Sequence, residues 1–175
     1  ADLGDAGRVF GGSGIARVDR LASLADQAVE LLRAGGDGVR WVEDRSAAGF
    51  RDLWETVLEQ RTRMVELAQR DPQAALDALT EIAVLCARRT GRDGVSVWGR
   101  DIEAALDERF TGLRWGREWY PGRPVMVTSN DYRLELYNGD IGICVKTDGA
   151  PLVVFERNGL RTVPPSHLGD HSTVH

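Results

Sequence analysis

Residues 122–145, GRPVMVTSNDYRLELYNGDIGICV, constrain the fold more than any other stretch of the chain. Leu134, Leu136, Ile141 and Ile143 alternate with polar or small residues on either side of Asn138-Gly139, the pair that best tolerates the positive φ angles of a tight reversal. The pattern predicts two antiparallel strands meeting at that turn. Upstream, residues 124–128 form a β-prone run closed by Ser129-Asn130-Asp131, and downstream residues 151–155 and 161–163 flank a second Asn-Gly pair at Asn158-Gly159. Four or five short strands in so little chain predict a small barrel.

The preceding residues follow a different period. Val18, Leu21, Leu24, Ala25, Ala28, Leu31 and Leu32 recur at helical spacing until Gly35-Gly36, which predicts a helix with one buried stripe. Residues 39–42 read as a short strand, and Phe50, Leu53, Trp54, Val57, Leu58, Met64 and Val65 mark a second amphipathic helix. Asp71-Pro72 opens a third, with Asp71 as N-cap and Pro72 at the first helical position, where a missing N–H costs nothing. Residues 82–86, IAVLC, are too short and apolar for an exposed helix and predict a buried parallel strand. An Arg- and Gly-rich loop over 88–94 then leads to a helix through Ile102, Leu106 and Phe110. Strands alternating with helices predict a layered α/β unit, with residues 111–117 as the connection to the all-β part.

A chain of 175 residues suffices for one sizeable core or two small domains, and the change of period near Trp115 favours two. No apolar run approaches the roughly 20 residues that span a bilayer, and ADLGDAG at the start has no secretory pattern, so a cytoplasmic protein represented by part of its length is expected. Cys86 and Cys144 fall in separate expected strands and are read as two buried thiols, not a disulfide. The net charge of -5 argues against coating duplex DNA by bulk electrostatics, so nucleic-acid contact has to be local. Lys146 is the only lysine, and no GxxxxGK[ST] phosphate loop exists. His167, His171 and His175 are spaced by four, but Pro164-Pro165 and Gly169 break the helix that a metal site on one face needs.

The order Trp119, Tyr120, Gly122, Arg123, Pro124, Val125, Thr128, Asn130, Asp131, Tyr132, followed by Asn138, Gly139, Asp140, Ile141 and Gly142, resembles the SH3-like insert of RecD-type superfamily 1 DNA helicases. A second segment, residues 83–95 (AVLCARRTGRDGV), is similar to the family stretch V-L-C-A-x-R-x-G-x-x-G-V and places its arginine at Arg89. Near the start, Arg8-Val9-Phe10-Gly11-Gly12-Ser13-Gly14-Ile15 resembles Y-R-F-G-x-x-S-G-I, with Val9 as an insertion.

The resemblance implies part of a second RecA-like motor domain over residues 1–114, an SH3-like barrel insert over 115–170, and a return toward the motor over 171–175. It implies a 5′–3′ DNA helicase subunit of a RecBCD-type exodeoxyribonuclease V, using ATP and magnesium, with single-stranded DNA and RecB-like and RecC-like subunits as partners in break repair and recombination. The phosphate loop and the magnesium-binding acid of such motors lie outside these residues, so no bound cofactor and no catalytic residue are expected within them. Arg8 would approach the ATP γ-phosphate, and Arg89, Arg123, Asn130 and Arg133 would contact DNA. In physical terms, an arginine beyond the carboxyl end of a buried strand sits where ligands bind in open α/β sheets, and its planar fork suits phosphate oxygens. The alternative at Arg89 is a solvated arginine pairing with Asp93.

Two departures remove polar groups that relatives present: Ser129 replaces the arginine of T-R-N-D-Y, and Gly99 replaces an asparagine. Arg114, Trp115, Arg117, Trp119 and Tyr120 interleave cations with aromatics, a composition that either stacks unpaired bases or packs the insert. Two other readings stay open: a stand-alone RecD-like or relaxase-type helicase, and a non-enzymatic SH3-like module that binds a protein.

Overall fold

The computed structural model describes residues 13–36, 39–42, 44–110, 118–147 and 150–175. Arg8 and the expected connection over 111–117 lie outside the described residues. The chain divides into two compact units, Ala1–Arg51 and Asp52–His175.

In the first unit, helix α1 (Ser13–Ala34) ends where Gly35 takes φ 69, with its N–H on the Leu32 carbonyl at 3.1 Å. In the part of the expected buried stripe whose burial is described, Leu24, Leu31 and Leu32 are instead 53%, 74% and 41% exposed. The expected strand over 39–42 is also absent. Among the described residues Val39 makes a single bridge, to Gly36, and no strand supplies a ladder beside 39–42.

Helix α2 (Ala48–Leu67) runs into the second unit, followed by α3 (Pro72–Leu79) and α4 (Val95–Arg109). Asp71 caps α3 as its sequence predicts, its carboxylate accepting the Ala74 N–H at 3.0 Å. Residues 82–86 correct the expectation of a buried strand. They are extended but outside any ladder, alternate residues are exposed, and Leu85 is 92% exposed. The Val84 N–H reaches the His175 carbonyl at 3.1 Å, one bond where a parallel strand requires flanking strands. Cys86 in this segment is therefore only half-buried, whereas Cys144 is fully buried, and both are free thiols.

The all-β half is one antiparallel sheet of five strands, β1 (Pro124–Val127), β2 (Ile141–Val145), β3 (Leu152–Glu156), β4 (Leu160–Val163) and β5 (His171–Thr173), in the order β4-β3-β2-β1-β5. The sheet is buried on both faces. On one side Ile143, Val145 and Val154 pack with Met64, Ala68, Ala75, Leu76 and Ala78 of the α2–α3 corner. On the other, Val125, Val127, Val153, Phe155 and Val163 enclose Leu136, with Trp119 and Leu168 against them. Alternation along β3 sends Val153 and Phe155 to one core and Val154 to the other, as the two-residue period of a strand requires. A third cluster joins α2 to α4 through Val57, Leu58, Val65, Ile102 and Leu106. Each such side chain contributes about 1.5–3 kcal/mol of burial.

The reversal at Asn138-Gly139 forms, but not as a hairpin. Residues 132–135 are turn, joined only by the Asp131–Leu136 bridge, and β2 pairs with β1 across this excursion. The Asp131 carboxylate explains the difference: its Oδ1 accepts the N–H groups of Arg133 and Leu134, both at 3.0 Å, which bends the backbone away from a ladder. Only Gly139 of the pair has positive φ, 95, and the Asp140 N–H closes on the Tyr137 carbonyl. The hairpin that does use an Asn-Gly turn joins β3 to β4, where Asn158 and Gly159 have φ 51 and 103.

Candidate nucleic-acid interface

The loop ahead of α4 is built to turn arginines outward. The Arg88 and Arg89 carbonyls accept the Val95 and Ser96 N–H groups at 3.0 and 3.1 Å, so the backbone folds onto the first turn of the helix. Arg88, Arg89 and Arg92 are all exposed, and among the described residues their side chains make no hydrogen bond or ion pair. The pairing of Arg89 with Asp93 is thus not made. Gly94 makes this fold-back possible: a Cβ there would stand 2.7 Å from the Thr90 carbonyl carbon and oxygen. Gly94→Ala is expected to cost about 2 kcal/mol through overpacking against backbone, seen as a lower urea midpoint with an unchanged m-value.

The turn between β1 and β2 carries a second group. Asn130 accepts the Asn138 N–H at 2.9 Å through Oδ1 and directs its Nδ2 toward the Tyr132 hydroxyl at 3.4 Å. Tyr132 is 74% exposed and meets Tyr137 edge-on, with centroids 6.1 Å apart. The Arg157 guanidinium covers Tyr137 at 4.4 Å and pairs with Asp140 at 3.2 Å, and Asp140 also accepts the Tyr137 N–H. Arg133 is exposed, with one contact to the His167 carbonyl at 3.4 Å and a loose pair to Asp131 at 3.9 Å. Sequence reasoning put Asn130 and Arg133 here but passed over Tyr132 and Tyr137 as site residues. Their signal was an aromatic at each end of a polar turn.

Arg123 lies elsewhere. It is 8% exposed, donates Nε to Thr173 Oγ1 at 2.9 Å and Nη1 to the Glu118 carbonyl, and stacks on Trp119 at 4.5 Å. His171 flanks the same indole at 5.1 Å. Arg123 thus ties the segment before β1 to β5, and a guanidinium committed in this way is a poor candidate for an external phosphate. Trp119 and Tyr120 are packing residues too. The Tyr120 hydroxyl donates to Glu103 at 3.1 Å, and burial, reinforced by that carboxylate, pushes its ionisation upward. Burial likewise pushes the Cys144 thiol up to about 12, leaving it unreactive.

No protein-family model matches the chain. It is 39% identical over 153 residues to the RecBCD enzyme subunit RecD of Mycolicibacterium smegmatis, covering 86% of this chain and 26% of that protein. It is 28% identical over 121 residues to the RecD subunit of Haemophilus influenzae, covering 65% and 19%. The chain is a RecD homologue. It spans about a quarter of the length of the RecD proteins from mycobacteria that it matches. The ATP-dependent RecD2 DNA helicase of Deinococcus radiodurans is also similar, 34% identical over 79 residues, which are 44% of this chain and 11% of that RecD2. Among the described residues no helix is long and apolar enough to cross a membrane.

Proposed function

We propose that this RecD homologue is the segment of an ATP-dependent 5′–3′ DNA helicase subunit that helps hold single-stranded DNA within a RecBCD-type exodeoxyribonuclease V. In this reading residues 1–114 belong to the second RecA-like motor domain, 115–170 to an SH3-like insert, and 171–175 return to the motor. ATP and magnesium would be held by other parts of the subunit, with RecB-like and RecC-like chains as its partners. Arg8 keeps its proposed approach to the ATP γ-phosphate.

The single observation that carries the DNA role is the outward set Arg88, Arg89 and Arg92, unpaired among the described residues, on a loop fastened to the start of α4. Three free guanidiniums on a chain of net charge -5 make a local phosphate contact, not a general basic surface. The Tyr132–Tyr137–Arg157 tier with Asn130 and Arg133 supplies a place for an unpaired base to stack. Arg89→Ala is expected to weaken single-stranded DNA binding and to lower the salt slope by about 0.7 if one phosphate contact is lost; Tyr132→Ala should weaken binding without changing the slope. Fluorescence anisotropy with a labelled oligonucleotide across a salt series distinguishes these. Binding indifferent to salt and to both substitutions would favour the protein-binding module instead.

The chain by itself is expected to show no DNA-stimulated ATP hydrolysis, because no GK[ST] triplet is present to hold the nucleotide phosphates. Measurable turnover by the purified chain would overturn that expectation.

A further inference from the structure

Strand β4 carries a side chain that reaches the turn between β1 and β2. Arg161 stands two positions before Val163, so the period of the strand turns both toward the face that encloses Leu136. From there its guanidinium donates Nη1 to the Leu134 carbonyl and Nη2 to Glu135 Oε2 at 2.5 Å. Glu135 takes φ 52, in the left-handed region, which is uncommon outside Gly, Asn, Asp and His and persists only where the surroundings over-determine it. Those surroundings are in place. Asp131 and Leu136 exchange backbone bonds at 2.8 and 3.0 Å, Asp131 Oδ1 holds the Arg133 and Leu134 N–H groups, and Leu136 is buried. The result is a closed excursion that packs Leu134 and Leu136 against the core and leaves Tyr132 and Arg133 exposed.

The bonds from Asp131 are internal to this excursion, whereas Arg161 fastens its strained corner to another strand, 26 residues beyond Glu135. An exposed ion pair by itself contributes little, and the Arg161 and Glu135 side chains are 36% and 64% exposed. The fork acts through geometry: two donors on one rigid plane fix a carbonyl and a neighbouring carboxylate together, where a single bond would leave the corner free to turn. We propose that Arg161, by bracketing Leu134 and Glu135, is a positioning residue that holds the excursion in the conformation presenting Tyr132 to an unpaired base. The inference rests on the stacking role proposed above for Tyr132. Arg161 acts through the turn and makes no contact with the nucleotide.

The test compares binding of the whole chain to oligo(dT) and to a strand of equal length made of abasic sites, by fluorescence anisotropy. Arg161→Met is expected to lower affinity for the base-bearing strand about fivefold or more, the lower end of what one base–aromatic stack is worth. Affinity for the abasic strand and the salt slope should stay as in the unmodified chain. Glu135→Asn added to Arg161→Met should recover most of the loss, because Asn adopts positive φ more readily than Glu; a lost charge is not rescued in this way. An equal loss on both strands, or a salt slope lowered by about 0.7 as for a lost phosphate contact, overturns the proposal. An unchanged preference for bases in Arg161→Met, where Tyr132→Ala loses it, overturns the proposal alone. If Tyr132→Ala keeps that preference, the stacking reading falls and this proposal with it. Amide hydrogen exchange of the unmodified chain decides the matter if Arg161→Met does not fold: slowed exchange is expected at Leu134 and Leu136, and exchange as fast as in an open loop overturns the proposal.

Discussion

Gly122→Ala is expected to destabilise the second unit by about 3–4 kcal/mol. Two penalties combine. Gly122 sits at φ 87, a region that costs an L-residue roughly 1–2 kcal/mol. A Cβ there would also stand 2.8 Å from Val65 Cα and 2.9 Å from Val65 N. Those are helix backbone atoms of α2, and Val65 is fully buried, so nothing moves aside cheaply; overpacking of this kind adds about 1–3 kcal/mol. The Gly122 N–H also donates to the Cys144 carbonyl at 2.8 Å, so a shift of the chain to relieve the clash strains the edge of β2. Gly139→Ala is the control. It has φ 95 but nothing within 4 Å of the added Cβ, so it should lose only the backbone part. Urea unfolding of the two variants separates the terms, and equal losses would refute the packing argument.

Acid is expected to remove about 3 kcal/mol of stability through His175. Burial first, then the charges of Arg61 and Arg123, lower its pKa from 6.5 to about 4 in the folded chain. Above about pH 6.5 the imidazole is neutral whether folded or unfolded, and it contributes no pH dependence. Below that, the unfolded chain takes up the proton and the folded chain resists it, so stability falls steadily until about pH 4 and then levels. His175→Gln keeps a neutral polar side chain and should flatten this limb, while carboxylate contributions persist in both proteins. The quantity to measure is the difference between the two stability curves from pH 7 to pH 4. A difference that does not change with pH would show that His175 is not held neutral by its surroundings.

The helices and most strands were legible because their signals are local. Period-3.6 apolar residues mark α1, α2 and α4, Asp71-Pro72 marks the start of α3, and the β-prone runs beginning at Pro124, Ile141 and Pro151 mark β1, β2 and β3. The failures came where local preference met a non-local requirement. Residues 82–86 have the composition of a buried strand, yet a strand exists only with neighbours, and Leu85 is left exposed. Residues 132–135 alternate like a hairpin arm, yet the Asp131 side chain claims the N–H groups that a ladder would use. Among the candidate site residues, the sequence named Arg89, Asn130 and Arg133 in exposed positions, but it offered no means of separating them from Arg123, since an arginine's burial depends on what folds over it.

The amino-acid order alone determined the kinship with RecD, the helix and turn positions and the lack of a phosphate loop, because each is written in adjacent or periodically spaced residues. Tertiary structure alone decided which of the two Asn-Gly pairs makes a hairpin, that Arg123 clamps β5 while the arginines of the 88–94 loop face outward, and that Arg61 is buried. Those outcomes depend on burial and on partners distant along the chain, and both come into being only when α2, α4 and the sheet close around them.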